Sequence, residues 1–239
     1  MRFALLFVVL ATTSCATAMQ GVRPGGAEDL PLTEAEDRAL GEARAWSTAE
    51  LAILDSAIAR AERIAADTAF LQIVRESAVA NEIVWRKKNL TNLPDTVHRR
   101  ATEWILQRFR EAGHFRTTEI RAGEWEFDPA KKKSTRAMTP ACLRSRQPCT
   151  TFSTRFHPAI VRSDALNALA NTVIHERIHA FGQRHISQKR RRNRCEAPSV
   201  IGDVAESLLA WRDQGQPIEP RQTLCRTLAA RLRARGIVR

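Results

Sequence analysis

Eleven residues, His175 to His185 (HERIHAFGQRH), constrain this chain more than any other stretch, because three of them are histidines whose spacing makes them meet. His175 and His179 are four apart, and four steps of a 3.6-residue repeat return a side chain to nearly the same face of a helix. Both imidazoles then point at one position. Glu176 is rotated away from that position, so its carboxylate would face a water bound to an ion rather than the ion itself, as a general base must. Gly182 admits the positive φ that ends a helix and turns the chain back, which brings His185 toward the first two rings as a third ligand. Three neutral nitrogens and one open vertex form the donor set of a catalytic zinc site, whereas four protein ligands close a structural one. A chance match to the five fixed positions is on the order of one in a hundred thousand for a chain of this length. The competing reading, an amphipathic helix with exposed histidines, explains fewer of them.

The helix carrying the motif is expected to start at Ser163 or Asp164, both good N-caps. Leu166, Leu169, Val173, Ile174, Ile178 and Phe181 give it a wide apolar face, so its ligands would stand on an element anchored in the core. Two further helices are expected, from Val200 to Trp211 and from Pro220 to Arg235 with Gly236 as the stop. On the first, Asp203 and Glu206 share a face. Glu206 is an alternative third metal ligand to His185; otherwise both acids would orient an imidazole or pair with arginines.

The amino terminus, MRFALLFVVLATTSCATAMQ, has one positive charge, Arg2, an apolar run from Phe3 to Ala11 and then small polar residues. It reads as a signal peptide, too short to span a membrane. Cleavage after Ala18 competes with a lipoprotein junction at Cys15, the lipidation candidate, where Thr12 stands in place of the usual branched aliphatic. Either outcome places the mature protein outside the cytoplasm: periplasmic, membrane-anchored as a lipoprotein, or secreted. In that oxidising setting Cys142, Cys149, Cys195 and Cys225 are expected in disulfides. Three connectivities exist, and Cys142 with Cys149 and Cys195 with Cys225 are favoured, the second tying the segment after the motif to the last helix. A formal net charge of +12 draws such a protein to an anionic envelope surface or keeps a solvated surface soluble. The membrane is a partner only through a lipid anchor, and nucleic acid is not expected.

Residues 1–18 are thus assigned to the signal peptide and 19–32 to a linker. A helical amino-terminal region, 33–113, and a region carrying the motif, 114–239, follow. Thr33 with Glu36 and Ser47 with Glu50 are capping-box candidates. From Leu51 the residues Leu54, Ile58, Ala61, Ile64 and Leu71 recur at helical spacing, as one long helix or two. A third helix should run from about Asp95 to Gly113. These helices are packing elements or, alternatively, a propeptide. Strands are expected in His114 to Phe127, with a hairpin turning at Ala122-Gly123, and in Thr150 to Ile160. The latter is a candidate edge for an added peptide strand. Lys131 to Lys133 and Gln188 to Arg194 are basic loops, the second near the rim of the cleft. His157 is a weaker candidate for substrate contact. The fold class is α+β, mostly helical with a small mixed sheet.

At His175, Glu176, His179, Gly182 and His185 the chain resembles the metzincin zinc metallopeptidases, whose long motif these residues match position for position. The resemblance covers little beyond those eleven residues. It implies a zincin-like fold with zinc on the motif helix and Glu176 as the catalytic base for peptide-bond hydrolysis, with a peptide or protein as substrate. Metzincins also carry a methionine turn after the motif. Here Met1, Met19 and Met138 all precede it, and tyrosine is absent altogether, so an arginine or a backbone N–H must stabilise the oxyanion. The alternative function is a non-catalytic, zinc-stabilised envelope lipoprotein that binds anionic polymer or a partner protein.

Overall fold

A computed structural model describes residues 30–31, 46–84, 98–111, 115, 118–122, 133–134, 137–138, 152–156, 160–161, 165–181, 183, 185, 195–220 and 224–239. The described residues are mostly helical. Outside them lie Cys15, Cys142, Cys149, His157, Gly182, the Thr33–Glu36 pair and the basic run from Gln188 to Arg194.

The amino-terminal periodicity resolves into two helices, α1 (Thr48–Ala65) and α2 (Thr68–Val79). Ser47 and Glu50 form the full capping box at the start of α1. The break comes because Asp67 adopts extended backbone and accepts from the N–H groups of Ala69 and Phe70, beginning a new helix. Helix α3 is His98–Phe109, ending short of the expected Gly113; its expected start at Asp95 lies outside the described residues. The motif helix α4 spans Leu166–Ala180, with Ala165 at its N-cap and no side-chain cap; Ser163 and Asp164 lie outside the described residues. Helix α5 runs from Ala197 to Gln214, three residues longer at each end than periodicity suggested. Pro198, tolerated in the first turn, opens it, and left-handed Gly215 (φ 67°) closes it. Helix α6 is Arg226–Ala234, followed by Gly236 at φ 66°, the expected stop.

Helix α4 is packed between α1 and α5. It is therefore buried nearly all round, from Ala168 to Ala180, rather than amphipathic with a single apolar stripe. At its amino-terminal end Arg60 donates to Asn167 (2.6 Å) and Asp213 (2.7 Å), and Asn167 donates to Asp213 (2.9 Å), pinning three helices together. At the other end Phe181 meets Trp104 edge-on (ring centroids 4.9 Å) and Phe109 (6.3 Å). One apolar core includes Leu54, Ile73 and Ile105 from the amino-terminal helices together with Ile174, Val204 and Leu232. Regions 33–113 and 114–239 thus share a core.

Among the described residues five short strands accompany the helices. Strands β1 (Leu30–Pro31) and β3 (Lys133–Ser134) pair antiparallel, so the end of the expected linker and of the first basic loop are joined. Strand β2 (Thr118–Ala122) runs parallel to β5 (Phe152–Phe156), with Ile120 opposite Thr154, and β4 (Ala137–Met138) pairs antiparallel with the end of β5. The partner of β2 is a strand some thirty residues on, a non-local pairing that no local turn signal reports; the hairpin expected beyond Ala122-Gly123 lies outside the described residues. One expectation is corrected. Strand β5 is central, not an edge, since β4 covers it at Arg155 and Phe156.

Candidate metal centre

His175 and His179 project from adjacent turns of α4, and His185 comes from the chain beyond its end. Their Nε2 atoms converge: 3.1 Å between His175 and His179, 3.2 Å between His175 and His185, and 2.9 Å between His179 and His185. A tetrahedral zinc with nitrogens at about 2.0–2.1 Å holds them roughly 3.3 Å apart. The observed triangle is this size or slightly tighter.

What each ring does with its other nitrogen decides the chemistry. His179 Nδ1 lies 2.5 Å from the carbonyl oxygen of the buried Gln183. His185 Nδ1 lies 2.5 Å from Oε2 of Glu196. His175 hydrogen-bonds to the backbone of Pro198, which has only a carbonyl to offer. Since its Nε2 faces the other rings, Nδ1 is the donor. Each Nδ1 therefore carries the proton, and each neutral ring turns an Nε2 lone pair inward. Three lone pairs facing one another at about 3 Å repel unless a cation lies between them. The residues fit a metal ion.

Burial keeps the His175 and His179 rings neutral. His175 is held well below the usual imidazole range, first by desolvation and then by the neighbouring His179 and His185. His179 is drawn down to about 3 by desolvation, then by His185, against the opposing Gln183 hydrogen bond. A neutral imidazole is the form that binds metal.

Glu176 follows the first ligand on α4 and is 2% exposed. Next to it Arg177, equally buried, donates to the carbonyl of Phe115 (3.1 Å) and lies over that ring at 5.7 Å from its centroid. Desolvation draws its guanidinium down to about 9. Arg177 thus ties Phe115 to the motif helix.

Among the described residues the group able to hold an ion consists of His175, His179 and His185. Glu206, the alternative third ligand, is not part of it. Its carboxylate accepts from Nδ2 of Asn171 at 2.7 Å, one helical turn before His175, and Asp203 accepts from the same amide at 3.2 Å. The shared face of Asp203 and Glu206 therefore serves the α4–α5 interface. Gly202 lets the helices approach there: a Cβ on it would come within 2.0 Å of Asn171 Oδ1.

Cys195 and Cys225 form the expected disulfide, with Cα atoms 5.0 Å apart. It ties the start of α5 to the start of α6. Sequence reasoning missed Glu196 and Asn171. Glu196 follows the basic run and a cysteine, and no periodicity or motif marks it.

No family model, no curated protein and no solved structure matches this chain.

Proposed function

We propose that the chain is an extracytoplasmic zinc-dependent peptidase of zincin-like architecture. The observation that carries this is the convergence of three Nε2 lone pairs, each fixed by an acceptor on its Nδ1, with the buried Glu176 next in sequence to the first ligand. His175, His179 and His185 hold the ion. Zinc bound by them supplies Lewis acidity, acidifying water and polarising a carbonyl. Glu176 takes a proton from the attacking water as its oxygen joins the scissile carbonyl carbon. When the C–N bond breaks, Glu176 returns that proton to the leaving amine. A purely structural zinc site has no use for a glutamate at this position, which favours catalysis over a zinc-stabilised binding protein.

Metal analysis and a broad peptide-library digest on wild type and Glu176→Ala, side by side, test the reading. The expected result is one zinc per chain in both proteins, with cleavage only in wild type. Zinc binding without cleavage by either protein would sink the peptidase and leave the zinc-stabilised binding protein.

A further inference from the structure

The three ligands are not held alike. His175 and His179 are carried by a buried helix and donate to main-chain carbonyls at Pro198 and Gln183. His185 lies off the helix, so α4 does not fix its aim. Its Nδ1 partner is a side-chain carboxylate, Glu196, and each of these two side chains is 13% exposed.

Glu196 occupies the N-cap position of α5, yet its side chain makes no capping hydrogen bond. Asp, Asn or Ser is the favoured residue there because its short side chain reaches back to the free N–H groups. Glu196 instead directs its carboxylate to His185. The backbone beneath it is fixed on several sides. Val84 N–H donates to the carbonyl of Cys195 (2.7 Å), and Ala197 N–H donates to the carbonyl of Val84 (3.0 Å), bracketing Glu196 in a parallel bridge. The disulfide to Cys225 secures the preceding residue. A carboxylate on so constrained a base acts as a fixed acceptor.

We infer that Glu196 is the positioning residue of the third ligand. It selects the tautomer of His185 with the proton on Nδ1 and aims Nε2 at the ion. This rests on the metal-centre reading above. A carboxylate behind a ligating histidine raises its donor strength, and losing such a partner costs roughly 10–100-fold in metal affinity.

The test is zinc affinity of the full chain, by competition with a chromophoric chelator, together with the visible spectrum of the cobalt(II)-loaded protein. Glu196→Ala should bind zinc about 10–100-fold more weakly and show an altered cobalt spectrum, while the metal-free protein melts at the wild-type temperature. Glu196→Gln retains an oxygen that can accept from Nδ1–H, and should recover much of the affinity. Alanine and wild-type proteins that bind equally would overturn the assignment. So would a glutamine variant as weak as alanine, because the aim of the ring would then not be what Glu196 supplies. Wild type that takes up neither zinc nor cobalt overturns the metal centre itself, a distinct failure.

Discussion

The histidine cluster at the end of α4 and the arginine–glutamate cluster between α2 and α6 sit against one core, but they solve the problem of polar side chains oppositely. In the second, Arg231 reaches Glu82 at 2.9 Å and Glu76 at 3.0 Å, and Arg235 reaches Glu76 at 2.6 Å. Pairing reinforces charge there: Glu82 hydrogen bonds raise the Arg231 pKa, and the Arg235 hydrogen bond lowers that of Glu76. In the first, like groups are brought together and burial strips His175 and His179 of charge. A cluster whose members satisfy one another is a staple. A cluster whose lone pairs face one another offers a place for a cation.

The largest effect expected of this contrast is on metal affinity. His179→Ala should weaken zinc binding on the order of a thousandfold, beyond the loss expected of a supporting residue. Arg231→Ala should leave zinc binding unchanged; chelator competition on both variants checks the pair.

Acid separates the clusters next. Neutral His175 and His179 are favoured by the fold, so the unfolded chain binds more protons below their ordinary value of 6.5. Metal-free stability should therefore fall as pH drops below about 6.5 and continue falling toward 3, where His179 itself titrates. The depressed Glu76 contributes stability present above its ordinary value of 4.5 and lost only below it. Urea titrations from pH 8 to 4 with chelator present should show an early decline that Glu76→Gln does not abolish.

Removing the disulfide by Cys195→Ser with Cys225→Ser opens a loop of 30 residues and should cost about 3 kcal/mol in urea unfolding. Zinc affinity should fall as well, because the base of Glu196 loosens. Gly202→Ala forces Asn171 aside and should cost about 1–3 kcal/mol, with a modest loss of affinity. Smallest is the stability loss of Arg231→Ala, about 1 kcal/mol for a partly exposed ion pair, read from the urea midpoint.

Local features were legible where local chemistry set them. The Ser47–Glu50 capping box, the left-handed Gly236, the Cys195–Cys225 pair and the approach of His185 to His175 and His179 all follow from residue type and short spacing. The motif helix was legible, but its N-cap is Ala165 rather than Ser163 or Asp164, and its burial was underestimated, since periodicity reports one core face and α4 is enclosed by α1 and α5. The parallel partner of β2, the central position of β5, and the diversion of Glu206 to Asn171 were not legible.

By itself the sequence determined the candidate donor set, because His175, His179 and His185 are bound to their geometry by the helical repeat and a short return. Only the tertiary structure decided how the donors are oriented. The acceptors at Gln183, Pro198 and Glu196 reach the three Nδ1 atoms through chain reversals and through α5, whose position depends on Gly202, Val84 and a disulfide. A hydrogen bond between residues on separate elements carries no periodicity, so it appears only when those elements have packed.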